Sequence, residues 1–260
     1  MNQFIRSFVV TLLVSVSLFA QIIESKKMSD ILNTVSPNAL VIFDLDNTIM
    51  EAGQTIGSDQ WFDYRVKIHE RGGYTLDQAL TKASEEWEAV NYKARVKIVE
   101  PETVGIIQNL QMRGIRTMGL TARPATFLEE SLKQLNRLDV HFDRETVSEE
   151  HITLKDKDVA TFKDGLMSVG GNNKGTILVK LLKYLNYKPG RILFVDDKLK
   201  NVTNVDNALK AASILSFAYR YSFTDEKVAA FDSRLADFQY QYFLNHRVVL
   251  TDKEARALIK

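Results

Sequence analysis

The run Val41-Ile42-Phe43-Asp44-Leu45-Asp46-Asn47-Thr48 constrains this chain more than any other segment. An uncharged stretch, Ala39–Phe43, of the kind that forms a strand buried on both faces stops at two carboxylates one residue apart. In an extended strand, residues i and i+2 share a face, so Asp44 and Asp46 are expected to point the same way. Two acids so placed resist joint ionisation unless a cation lies between them, and burying both unpaired costs several kcal/mol per ion. A metal-dependent site is therefore the economical reading.

The 260 residues leave room for one large domain and a smaller insertion, and the net charge of +1 gives no reason to expect nucleic acid as a partner. Met1 to Arg6 carries one positive charge, Ser7 to Ala20 carries none, and polar Gln21 follows. That is the pattern of a secretory signal over residues 1–20, with cleavage expected after Ala20 although Leu18 is not ideal at −3. The apolar run is shorter than the ~20 residues of a spanning helix. The expected location is periplasmic or secreted, without stable membrane insertion once the signal is cleaved; an uncleaved N-terminal anchor is the alternative. Cysteine is absent, which excludes disulfides and zinc–thiolate sites.

Residues 24–37 read as a polar lead-in holding one short helix, and 50–61, with Gly53, Gly57 and Ser58, as a loop. Residues 61–74 are mixed and broken by Gly72-Gly73. Thr75 and Gln78 make a capping-box pattern that predicts a helix to about Lys93. Residues 50–100 thus form a helical insertion, and 21–49 with 101–260 form the core domain. The core resumes with a helix from Pro101 to Gly114, a strand over 116–120 and a helix over 124–137. A helix over 174–186, a strand over 191–195, a helix over 202–211, a strand over 213–217 and a long amphipathic helix over 225–244 follow. Such alternation predicts a doubly wound α/β fold with a parallel sheet. The last helix is expected to pack on that sheet. Trp61, Phe62, Tyr64 and Trp87 read as the insertion's own core in preference to an aromatic slot.

In open α/β sheets, ligands bind beyond the carboxyl ends of the strands. Here the strand over 116–120 ends in Thr121-Ala122-Arg123, and that over 191–195 ends in Asp196-Asp197. Lys174 opens a helix after Gly170-Gly171-Asn172-Asn173. Singly these are weak signals, since a threonine after a strand is commonly a helix cap and a lysine after glycines is commonly solvated. Their conjunction is specific. Arg123, at a helix start, reads as structural in preference to a second phosphate-binding cation.

Together, Asp44-Leu45-Asp46-Asn47-Thr48, Thr121, Lys174 and Asp196-Asp197 resemble the four signature motifs of the haloacid dehalogenase (HAD) superfamily of phosphotransferases, over Ala39 to Asn201. The segments around Phe43, Leu120 and Val195 to Asn201 further resemble a poorly characterised branch of exported bacterial members. The resemblance implies a Rossmann-like HAD core with a small C1-type cap, a Mg²⁺-dependent phosphomonoester hydrolase, and an aspartyl-phosphate intermediate. By that resemblance Asp44 is the nucleophile and Asp46 the general acid and then base. Thr121 and Lys174 bind the phosphoryl oxygens. Mg²⁺ is held by Asp44, the backbone carbonyl of Asp46 and Asp197. The fourth motif departs from the common Gly-Asp form, so Asp196 is auxiliary. The carboxyl group at Asp46 favours phosphoryl chemistry, because a dehalogenase needs no acid there. The implied substrate is a small-molecule phosphomonoester or a phosphoprotein. A catalytically idle scaffold that binds a protein partner, or a phosphotransferase or phosphomutase, is the alternative.

Overall fold

The computed structural model describes residues 22–142 and 151–259, so the signal-like segment lies outside the described residues. Its strands are β1 (Ile22–Ser25), β2 (Ala39–Phe43), β3 (Met50–Ala52), β4 (Val96–Ile98), β5 (Arg116–Thr121), β6 (Ile152–Lys155), β7 (Val159–Lys163), β8 (Leu166–Ser168), β9 (Arg191–Asp196) and β10 (Ser216–Tyr221). Its helices are α1 (Asp59–Arg71), α2 (Leu76–Asn91), α3 (Thr103–Met112), α4 (Leu128–Arg137), α5 (Lys174–Tyr184), α6 (Leu199–Ala211), α7 (Asp225–Ala229), α8 (Ser233–His246) and α9 (Asp252–Leu258).

Strand β2 lies at the heart of the main sheet, paired in parallel with β5 on one side and β9 on the other. Its alternating side chains feed two cores. Val41 and Phe43 pack with Ile107 and Leu110 of α3 and Leu135 of α4. Leu40 and Ile42 pack with Ile177 and Leu181 of α5 and Val202 and Val205 of α6. Covered on both faces, the strand has no position left for a polar residue, which explains its unbroken apolar run. The strand order is β1-β10-β9-β2-β5-β8-β7-β6. With helices on both faces and a helical insertion between β2 and α3, this is a doubly wound, Rossmann-like α/β fold.

The sheet is mixed, not wholly parallel as the alternation predicts. Strand β8 still pairs in parallel with β5, but β7 runs antiparallel to β8 and β6 antiparallel to β7. The hairpin between β7 and β8 turns on Asp164 and Gly165, at φ 47° and 76°, as a two-residue hairpin loop with both residues left-handed requires. Other differences follow local chemistry. An edge strand, β1, and a 3-10 turn, Met28–Asn33, occupy the expected lead-in. Strand β10 begins later than expected because Ser213, at φ 57°, turns the chain first. The helix expected over 225–244 is two helices. The Asp232 side chain accepts the Leu235 amide at 3.0 Å and caps α8 afresh.

The insertion stands on an antiparallel ribbon, Met50 to Ala52 against Val96 to Ile98, where a loop was expected. Ser58 caps α1 by accepting the Trp61 amide at 3.1 Å, and Thr75 and Gln78 close the capping box of α2. Trp61 and Trp87 are buried with Phe127 and with Ala236, Tyr240 and Phe243 of α8; the Trp61 and Tyr240 ring centroids are 5.2 Å apart. The two tryptophans are thus core, shared with α8, while Phe62 and Tyr64 pack against it partly buried and Tyr64 also lines a cleft. Helix α8 packs on the insertion instead of on the sheet, whose two faces are already covered by α3 to α6. Among the described residues no helix is long and apolar enough to cross a membrane.

Candidate active site

The strand ends at Phe43, before either acid, so a turn and not the pleat of the strand sets the path through Asp46. Beyond Asp44, the amides of Thr48, Ile49 and Met50 converge on the Leu45 carbonyl at 3.3, 3.0 and 3.0 Å. Asn47 takes φ 59°, a left-handed conformation that asparagine tolerates better than most residues. The Asp46 carboxylate is gripped by the Arg123 guanidinium, Nε to Oδ2 and Nη2 to Oδ1, both at 2.7 Å, and its charge still raises the Asp44 carboxyl. Arg123 is buried, and its Nη1 donates to Ser131 Oγ at 3.1 Å and Gln134 Oε1 at 2.7 Å.

The partner acids for Asp44 come from β9. Parallel register sets Phe43 beside Val195, and the Asp44 amide donates to the Val195 carbonyl at 2.8 Å. Carboxylate oxygens of Asp44, Asp196 and Asp197 then lie within 4.8 Å of one another, all three residues buried. Lys174 enters from the first turn of α5, which Asn173 caps by accepting the Thr176 amide at 3.1 Å. Its Nζ donates to Asp44 Oδ1 and, at 2.7 Å, to Asp196 Oδ2. Gly175 permits this approach, since a Cβ there would run into the Asn204 carbonyl of α6.

Asp196 is fully engaged, because it also accepts the Lys198 amide at 2.8 Å and both its oxygens meet Asn201 Nδ2 at 3.1 Å. Asp197 is not. Among the described residues no donor reaches its carboxylate, and only its amide is bonded, to Thr48 Oγ1 at 3.2 Å. Burial pushes the Asp197 carboxyl well above its ordinary range, with Asp196, Asp44 and Asp59 adding to the rise. Burial likewise drives Asp44 up to about 7 against the opposing pull of Lys174. For Lys174, burial works against the charged form, but Asp196 and Asp44 outweigh it and hold the ammonium charged. A buried carboxylate without a donor, beside two others, is a donor set that fits a hard divalent cation. The atoms offered are all carboxylate oxygens, which suit a hard cation better than a soft metal.

Thr121 ends β5 at the same sheet edge, two residues beyond the Gly119 that pairs with Phe43. Its Oγ1 accepts the Arg123 amide at 3.2 Å, which leaves the hydroxyl proton free to be donated elsewhere. A cleft of about 520 Å³ opens between α1 and the start of α6, lined by Asp59, Asp63, Lys67, Asp197, Lys198 and Lys200. Lys198 spans its mouth to Asp59 at 2.7 Å and Asp63 at 3.5 Å. Burial raises the Asp59 carboxyl to about 6 in spite of that lysine.

Asp44, Asp196, Asp197 and Lys174 therefore meet as a cluster, Thr121 stands on the same edge, and the Asp46 carboxylate is paired with Arg123 beside it. Spacing gave no hint of Ser131 and Gln134, which brace Arg123 from one face of α4. Thr48 and Asn201 stood inside quoted motifs, but only the fold reveals that they bond Asp44 and Asp196.

Among known proteins, a Chlamydia pneumoniae protein whose name assigns it provisionally to the outer membrane is 24% identical over 222 residues, 85% of this chain and 82% of that one. An uncharacterized protein of Rickettsia prowazekii is 21% identical over 248 residues, 91% of this chain and 89% of that one. A haloacid dehalogenase-like hydrolase of Streptococcus pneumoniae superposes with a TM-score of 0.43 at 13% identity, covering 74% of this chain and 98% of that structure. The family model described as "Protein of unknown function (DUF2608)" matches residues 24–256, nearly the whole described chain, and the chain belongs to that family.

Proposed function

We propose that this protein is a Mg²⁺-dependent phosphomonoester hydrolase that works through an aspartyl-phosphate on Asp44. The observation that carries the reading is the buried cluster of Asp44, Asp196 and Asp197, with Lys174 against two of its members and Asp46 held separately. Mg²⁺ would be held by Asp44, Asp197 and the Asp46 backbone carbonyl, with Asp196 in support, and would offset the negative charge of the carboxylates and the phosphoryl group.

In the first half-reaction, an Asp44 oxygen attacks phosphorus and the bond to the leaving oxygen breaks. Asp46 gives that oxygen its proton. In the second, Asp46 takes a proton from water as the water oxygen attacks phosphorus. The Asp44–phosphorus bond breaks, and Asp44 returns as a carboxylate. Thr121 donates its free hydroxyl proton to a phosphoryl oxygen, and Lys174 places a second cationic donor there. The insertion, together with α8, serves as the cap that excludes water from the cleft. The N-terminal segment directs export. An idle scaffold would be expected to have lost one of Asp44, Asp46, Thr121, Lys174 or Asp197, and all five are present.

The test is hydrolysis of para-nitrophenyl phosphate by the chain from Gln21 onward. Activity should need Mg²⁺, vanish with chelator, and fall by at least about 10³-fold in Asp44→Asn. Activity that survives either treatment contradicts the mechanism.

A further inference from the structure

Arg123 does more than start a helix. Four of its contacts are committed: two to Asp46, one to Ser131 and one to Gln134. Its guanidinium carbon lies 5.0 Å from the Trp87 ring centroid and 5.8 Å from that of Phe127. The main chain is fixed as well. The Arg123 amide donates to Thr121 Oγ1, and the carbonyl accepts Ser168 Oγ at 2.8 Å and the Gly170 amide at 3.1 Å. The cage has two origins. Phe127, Ser131 and Gln134 belong to the core, and Trp87 belongs to the insertion. Gln134 joins the two, because its Nε2 donates to the Asn91 carbonyl at the end of α2 at 3.2 Å.

A bidentate fork fixes both the direction and the plane of a carboxylate. We infer that Arg123 is the positioning residue for Asp46, and that the cap takes part in holding it; the inference rests on the hydrolase reading above. When Asp46 hands its proton to the leaving oxygen, the carboxylate it becomes is received by two prealigned N–H donors. Negative charge thus develops where donors already wait. The proton moves from Asp46 to the departing oxygen in the first half-reaction and returns from water in the second, so Arg123 itself neither gains nor loses one.

This assigns Arg123 an effect that depends on the leaving group. A nitrophenolate departs with little help from an acid, whereas a phenolate or alkoxide needs its proton. The test compares para-nitrophenyl phosphate with phenyl phosphate on the full exported chain with Mg²⁺. Arg123→Gln should lose several-fold on the first ester and about 10²-fold on the second, the scale of general acid catalysis. Arg123→Lys, which keeps the charge and loses the fork, should fall between wild type and Arg123→Gln on phenyl phosphate. In an Asp46→Asn background, Arg123→Gln should cost nothing further on phenyl phosphate.

Equal losses on both esters, or full additivity with Asp46→Asn, overturn the inference and leave Arg123 a structural residue. Should Arg123→Gln not fold, the same ester comparison on Arg123→Lys decides. A wild-type chain no faster than Asp44→Asn on either ester overturns the hydrolase reading itself, and this inference with it.

Discussion

The tips of β2 and β9 pose the same electrostatic problem and solve it differently. Each offers two acids close together in sequence, Asp44 and Asp46 at one, Asp196 and Asp197 at the other. At β2 both acids meet a buried cation, whereas at β9 Asp196 does and Asp197 has none in hydrogen-bond reach among the described residues. Asp196 meets Lys174, which also touches Asp44, so that brace lies within the cluster. Asp46 meets Arg123, outside it, and its side chain keeps 21% exposure. Separation along the chain does not assign these roles. The folded surroundings do: strand register brings Asp44 and Asp196 to Lys174, and the loop beyond Phe43 brings Asp46 to Arg123.

The largest effect should come from removing the inner cation. Lys174→Met strands Asp44 and Asp196 as uncompensated buried carboxylates and should cost about 3–5 kcal/mol in urea unfolding of the metal-free protein. Arg123→Met leaves Asp46 able to turn toward water and should cost less, about 1–3 kcal/mol. Equal losses would break the contrast between an inner and an outer brace.

A smaller effect should appear with pH. Burial raises the Asp44 carboxyl from 3.8 to about 7, and Asp197 is raised too, so between these values the folded chain binds more protons than the unfolded one. Stability should then fall as pH rises through that window, because the slope follows the protons bound by the unfolded state minus those bound by the folded. Lys174 stays charged throughout and adds nothing to the slope. Unfolding free energies measured in chelator should drift downward from about pH 4 to about pH 7, with Asp59 adding to the fall, and Mg²⁺ should flatten the drift. An upward drift would mean that Asp44 and Asp197 are better served by protein donors than by a metal.

Much of the fold was legible because burial on both faces leaves a plain trace. Ala39–Phe43 and the strand ending at Asp196 are apolar runs with turn signals at their ends, and the capping box at Thr75 announces α2. The β6 to β8 meander was harder. Its strands are short and carry lysines, although Asp164-Gly165 is a two-residue hairpin signal. The break before α8 was hidden by aromatic periodicity that runs past Asp232. At the site, residue types and order revealed the cluster, since strand tips must share one edge of a parallel sheet. The Asp46 to Arg123 pair joins residues 77 positions apart through a turn and a buried cage, and no local pattern encodes it.

The division of the four acids is tested most directly by Mg²⁺ titration calorimetry on wild type, Asp197→Asn and Asp46→Asn. Asp197→Asn should weaken binding by at least about 10-fold, and Asp46→Asn, which keeps its backbone carbonyl, should stay within about 2-fold of wild type. Loss of Mg²⁺ binding in Asp46→Asn, with Asp197→Asn unchanged, would put the Asp46 side chain on the metal in place of Asp197 and contradict the assignment.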